Sequence, residues 1–138
     1  MEPCLEKARS LLTGDITCVI CRDDDTYLSR ERGVKPLLQW LDDHADCKDG
    51  WAADKVVGRA TAFLYCLLGV QGIYTPVIST PALQVLQDHG ILTHYDQAVP
   101  QIQNRKGDGR CPMETATLNC ATAQEALDAV RNALNNFM

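Results

Sequence analysis

Trp51-Ala52-Ala53-Asp54-Lys55-Val56-Val57-Gly58-Arg59-Ala60-Thr61-Ala62-Phe63-Leu64-Tyr65-Cys66-Leu67-Leu68-Gly69, followed by Gly72-Ile73-Tyr74-Thr75-Pro76-Val77-Ile78-Ser79, decides the fold. Trp51-Ala52-Ala53 reads as a short buried strand ending at Asp54. Lys55 to Leu68 reads as a helix with apolar residues on nearly all its faces, which places it centrally rather than at the periphery. Gly69 stops that helix. Gly72 to Ser79 reads as the next strand. Strand alternating with helix favours an α/β domain with a largely parallel sheet.

The alternation continues in both directions. Upstream, Leu5, Ala8, Leu11 and Leu12 recur at helical spacing, and Gly14 follows as a stop. Ile16 to Cys21 and Thr26 to Ser29 form a hairpin around the turn Asp23-Asp24-Asp25. Gly33-Val34-Lys35-Pro36 opens a helix with proline in its first turn, and Leu37, Leu38, Trp40 and Leu41 supply its apolar side. Downstream, Ser79-Thr80-Pro81 is a cap and first-turn proline for a helix ending at Gly90. Leu92 to Tyr95 is a fifth strand. A short helix from Pro112 to about Leu118 precedes Thr122-Ala123-Gln124-Glu125, which has capping-box spacing. Leu127, Val130, Leu134 and Phe137 then mark an amphipathic terminal helix. The expected architecture is one domain over 1–138, a three-layer α/β/α sandwich with two extra C-terminal helices.

A chain of 138 residues buries a core without metal or disulfide staples. A net charge of −5 weighs against a protein that coats nucleic acid, and the basic stretches lack interleaved aromatics. No apolar run reaches membrane-spanning length. Met1-Glu2-Pro3-Cys4 is polar and is not a secretory signal, so a cytoplasmic location is expected. The seven cysteines, Cys4, Cys18, Cys21, Cys47, Cys66, Cys111 and Cys120, are odd in number and scattered, which argues against a disulfide framework.

Asn104-Arg105-Lys106-Gly107-Asp108-Gly109-Arg110-Cys111-Pro112-Met113-Glu114 carries the densest candidate chemistry. With Pro112 as the first helical residue, Cys111 stands near the N-cap, where unsatisfied N–H groups and the helix dipole favour a thiolate. Arg105, Lys106 and Arg110 would favour it further. Gly107 and Gly109 permit the positive φ of an anion-cradling nest. The spacing is not that of a phosphate loop or a dinucleotide fingerprint. The plain alternative is a capping cysteine in a polar surface loop. Glu114 is read first as a capping partner in its own helix. Asp54-Lys55 sets a carboxylate beside an ammonium at a strand-to-helix mouth, where Asp54 is also a natural N-cap. Gly58 and Ala60 keep the first turns slender enough for another group to approach.

Cys18-x-x-Cys21 with His44-x-x-Cys47 has the ligand types of a zinc site. Residues three apart in a β-patterned run point to opposite faces, however, and no glycine makes a metal knuckle. No metal or other cofactor is expected.

Further motifs are Gly33-Val34-Lys35-Pro36-Leu37, Ala53-Asp54-Lys55-Val56-Val57-Gly58-Arg59-Ala60, Val77-Ile78-Ser79, Ala82-Leu83, His89-Gly90, Val99-Pro100, Asn104-Arg105, Gly107-x-Gly109 and Cys111-Pro112-Met113-Glu114. Together, over nearly the whole chain, they resemble a small prokaryotic domain-of-unknown-function family with a cytidine-deaminase-like fold. The resemblance implies an α/β/α sandwich around a mixed five-stranded sheet. Zinc deaminases carry His/Cys-x-Glu and Pro-Cys-x-x-Cys at two helix starts. The matching positions here hold Lys35-Pro36 and Asp54-Lys55, so the resemblance implies the fold without the zinc.

The resulting expectation is a metal-independent site for a small anionic ligand, a nucleotide or another phosphorylated metabolite. Cys111 is its candidate nucleophile and Asp54 its proton-transfer partner. Lys35, Lys55, Asn104, Arg105, Gly107, Gly109 and Glu114 are its candidate ligand-binding residues. The alternatives are a non-catalytic binding or sensing module in the same pocket, and a homodimer that uses the C-terminal helix as its interface.

Overall fold

The computed structural model describes residues 2–31, 33–102 and 112–137. Along them run α1 (Pro3–Leu11), β1 (Cys18–Arg22), β2 (Asp25–Ser29), α2 (Lys35–Asp42), β3 (Trp51–Asp54), β4 (Val56–Val57), α3 (Arg59–Leu68), β5 (Gly72–Ser79), α4 (Thr80–Asp88), β6 (Leu92–Val99), α5 (Pro112–Ala116) and α6 (Ala123–Phe137). The sheet is mixed and has six strands. β1 pairs antiparallel with β2 and β3, while β3, β4 and β6 all pair parallel with β5. No helix among the described residues is long and apolar enough to cross a membrane.

Local chemistry accounts for most element ends. Glu2 accepts the Leu5 N–H at 3.0 Å ahead of Pro3. The Ser79 hydroxyl accepts the Ala82 N–H at 3.2 Å, as its position before Thr80-Pro81 predicts. Gly69 ends α3 in the left-handed conformation, φ 79°. Thr122 accepts the Glu125 N–H at 3.1 Å at the start of α6.

Helices cover both faces of the sheet. Val57, Phe63, Leu64, Ile73, Ile78, Leu86 and Val130 belong to the larger core, under α3, α4 and α6. A smaller core forms under α1 from Leu5, Ala8, Val19, Cys21, Ala53 and Tyr74. Cys18 faces the larger core and Cys21 the smaller one, so strand geometry separates the two thiols as expected.

The main departure lies in the stretch that decides the fold. The helix expected from Lys55 begins only at Arg59, and Val56–Val57 forms an additional strand. Asp54 is therefore not the N-cap of α3; Gly58 is. The β-branched pair stays extended because it pairs in parallel with Val77 and Ile78 of β5. Register between the strands is the same before and after the break, which sets Lys55 level with Pro76. Proline has no N–H to give the ladder, and the Lys55 N–H turns instead to the Thr17 carbonyl at 3.0 Å. Ala52 and Val57 both face the larger core, as do Ile73 and Ile78. Strict alternation would put residues five apart on opposite faces. Both strands thus shift face at this break, and Asp54 sits at its edge.

Candidate functional site

Asp54 ends β3, and Cys18 starts β1. Because β1 runs against β3, the two residues lie directly opposite each other in the ladder. Both belong to the wall of a cavity of about 320 Å³ beyond the carboxyl end of β3. Gly33 and Val34, just before α2, form one side. Gly58, Ala60 and Thr61, at the start of α3, form another, and Ile102, Met113 and Glu114 close the rim. Ligands of parallel sheets bind at such strand ends, where helix N-termini converge.

The floor is a chain of buried hydrogen bonds. Tyr65, fully buried in α3, donates its hydroxyl to Asp54 Oδ2 at 2.7 Å. The Val56 N–H reaches Asp54 Oδ1 at 3.3 Å. Burial pushes the Asp54 carboxyl up to about 7, against the pull of the Tyr65 bond and its backbone donors. Burial, reinforced by the charge of Asp54, pushes the Cys18 thiol far above the ordinary thiol range. The neighbouring Thr17 and Tyr65 hydroxyls act to lower it, but they are outweighed. The same burial, with Asp54 and Cys18 as neighbours, raises the Tyr65 phenol. At neutral pH the cluster therefore holds a protonated thiol, a protonated phenol and a carboxyl close to its titration point.

The rim holds a second buried carboxyl in another way. Glu114, on α5, accepts the backbone N–H of Arg59, the first residue of α3. It thereby caps a helix other than its own, while the partner of a local cap at the start of α5 lies outside the described residues. The Arg59 side chain in return grips the turn that follows α5, donating to the Thr117 carbonyl at 2.9 Å and the Cys120 carbonyl at 2.6 Å while lying over the Phe63 ring. A Cβ at residue 58 would overlap the Glu114 carboxylate. Gly58 thus allows the close approach its position suggested, and the group that approaches is Glu114.

The structure joins some expected site residues and separates others. Asp54, Lys55 and Glu114 share the cavity wall. The Lys55 ammonium reaches back to the Gly14 carbonyl at 2.5 Å. Lys35 is exposed and lines a different groove, beside Leu28 and Trp40. Cys111, Asn104, Arg105, Gly107 and Gly109 lie outside the described residues. Sequence reading missed Cys18 and Tyr65. A usable signal for Tyr65 was present, since a phenol inside an otherwise apolar helix needs a buried partner.

A zinc centre of the deaminase kind does not fit these residues. Val34-Lys35-Pro36 and Gly58-Arg59-Ala60 at the two helix starts offer neither thiol nor imidazole. Among the described residues, no three His, Cys, Asp or Glu side chains are grouped to hold a metal ion.

Comparison with known proteins gives a family and a solved structure of similar fold. A family model described as Domain of unknown function (DUF1893) matches residues 7–134. The fold is similar to that of a crystal structure of a DUF1893 family protein (TM1506) from Thermotoga maritima. The two chains share 25% identity with a TM-score of 0.86, over 96% of this chain and 90% of that one. No curated protein matches the chain.

Proposed function

The chain belongs to the DUF1893 family, and from the cavity it folds around we propose a metal-independent binding site for a small anionic metabolite, such as a nucleotide. One observation carries this reading: a buried carboxyl, Asp54, forms part of a mostly apolar cavity at a strand end. Small-molecule sites have this form, a largely apolar hollow with a few fixed polar groups. The uncharged, hydrogen-bonding part of the ligand would lie against Asp54, and its anionic end would lie at Lys55. Tyr65 fixes the carboxyl through Oδ2. Arg105, Asn104, Gly107 and Gly109 enter as further anion contacts on the strength of the sequence alone.

The finer fold reading belongs to the same proposal. Spatial order β2-β1-β3-β5-β6, with only β1 running against the rest and helices on both faces, supports a cytidine-deaminase-like sandwich. The cavity then lies between the two helix starts that carry zinc ligands in deaminases. A cytoplasmic setting fits free thiols at Cys4, Cys18, Cys21, Cys47, Cys66 and Cys120.

Binding is favoured over turnover by the state of the one thiol in the described wall, since Cys18 is held protonated. Turnover is favoured by Asp54, which sits close to its titration point at neutral pH and could exchange a proton with a ligand. Cys111 would then be the nucleophile, on the sequence argument given above. Melting shifts and calorimetric titration with nucleosides, nucleotides and phosphorylated sugars test the reading. A binder should stabilise the protein, and Asp54→Asn should weaken it on the order of tenfold. No shift with any of the three classes, or binding indifferent to Asp54→Asn, overturns it.

A further inference from the structure

The polar side chains around the cavity are mostly acceptors. Asp54 and Glu114 are carboxyls, at its floor and rim. The Thr17 hydroxyl turns its hydrogen to the Ser29 and Glu31 carbonyls. Tyr65, behind the floor, gives its hydrogen to Asp54. Lys55 is a donor, and its ammonium is drawn to the Gly14 carbonyl. A ligand group set against this floor meets lone pairs more often than hydrogens.

Asp54 itself is short of donors. A carboxylate accepts about four hydrogen bonds. Asp54 receives a close one from Tyr65, at 2.7 Å to Oδ2, and a long one from the Val56 N–H, at 3.3 Å to Oδ1. The Lys55 N–H, which also favours its charge, donates to the Thr17 carbonyl at 3.0 Å. The elements packed around Asp54 add little positive charge. Cys18 on β1 and Tyr65 on α3 are held neutral, and Gly33 and Val34 before α2 have no charge to offer. Glu114 on α5 is a further acid. Burial therefore prevails, and the Asp54 carboxyl keeps its proton up to about pH 7. An N–H aimed at Oδ1 would supply the donor that the fold omits and would favour the carboxylate. A ligand carbonyl or bare ring nitrogen would set lone pair against lone pair unless the acid stayed protonated.

We propose that the cavity selects, at the uncharged end of its ligand, an N–H group that donates to Asp54 Oδ1 and expels the carboxyl proton on binding. This rests on the ligand site proposed above and names the chemistry of the end that Asp54 meets. The proton goes to solvent, and no bond of the ligand is broken. Val34, Val56, Ile102 and Met113 give the cavity apolar walls. A heteroaromatic ring fits them, whereas a sugar would leave hydroxyls unpaired against them. The ligand class is an N–H-bearing heterocycle that carries an anionic group.

Calorimetric titration of the full chain with matched nucleosides tests this. Adenosine has N–H on its base and purine riboside has none. Uridine has one at N3, which N3-methyluridine lacks. The N–H-bearing member of a pair should bind more tightly, on the order of tenfold. Its affinity should rise with pH, by up to about tenfold per unit, because the ligand favours the deprotonated carboxyl. The rise should level off above about 7, where the unliganded carboxyl has already lost its proton. Below that point binding should release a proton to the buffer. Asp54→Asn should abolish the pH dependence. Tyr65→Phe removes a donor, raises the carboxyl further and should move the levelling-off to higher pH. Circular dichroism checks that both variants fold. Binding that does not favour the N–H member overturns the inference and leaves the site standing. So does affinity that is flat or falls as pH rises, or a pH profile that Asp54→Asn leaves unchanged. Binding by none of the probes overturns the site and the inference together.

Discussion

The floor and the rim of the cavity each hold one buried carboxyl, and the protein treats them in opposite ways. At the rim, Glu114 meets the first backbone N–H of α3, where orphan donors and the helix dipole both favour negative charge. At the floor, Asp54 stands at a strand end with a phenol and a nearby backbone amide as its donors, and burial outweighs them. Glu114 has a structural task, since it and Arg59 clasp α5 against α3. Asp54 ties β3 to α3 through the Tyr65 hydroxyl, but without a helix end to favour its charge. A carboxyl whose burial outweighs its donors marks the place where a ligand is expected to supply what the fold does not.

Removing each carboxyl should therefore change stability in opposite directions. The larger effect belongs to Asp54. Its folded carboxyl holds a proton up to about pH 7, against an ordinary value of 3.8. The folded state thus binds more protons than the unfolded chain between those limits, so stability is fullest below the lower value and falls as pH rises through about 7. Asp54→Asn does not titrate. Its stability relative to the parent should improve across that window by up to about 4 kcal/mol, read from urea unfolding at a series of pH values. Parallel pH profiles for the two proteins would remove the contrast between floor and rim.

Glu114→Ala should act the other way, costing about 1–2 kcal/mol through the lost cap on α3. Gly58→Ala should cost about 1 kcal/mol by displacing the same carboxylate. The two changes remove one interaction, so the double variant should lose little more than Glu114→Ala alone. Full additivity in urea melts would mean that Gly58 serves something other than the approach of Glu114.

The sequence made the braced parts of this fold easier to read than the cavity. Ser79 before Thr80-Pro81 and Gly69 after Leu68 act within a turn of where they stand. Separation of Cys18 from Cys21 needed only the two-residue period of a strand. Val56–Val57 was misread as helix because what keeps it extended is pairing with Val77 and Ile78, on a strand that comes after α3. The rim was hidden by distance, since Glu114 and Arg59 lie 55 residues apart in the chain. The floor needed the antiparallel register that sets Cys18 against Asp54, which no local pattern near either residue specifies.

Lys55 gives the smallest stability effect and the sharpest division of the cavity's labour. Its ammonium is tied to the Gly14 carbonyl at 2.5 Å, an exposed contact. Surface contacts of a charged side chain contribute little, so Lys55→Met should cost about 0.5 kcal/mol. Its effect on binding should be larger and selective, because a cavity with carboxyls at both floor and rim has Lys55 as the cation in its described wall. Phosphorylated ligands should bind the variant more weakly by about tenfold, while the matching uncharged nucleosides should bind it unchanged. Asp54→Asn should weaken both classes alike, because it acts on the part they share. If Lys55→Met weakens nucleosides and nucleotides equally, Lys55 shapes the cavity rather than reading charge. The anionic end of the ligand would then have to be met elsewhere.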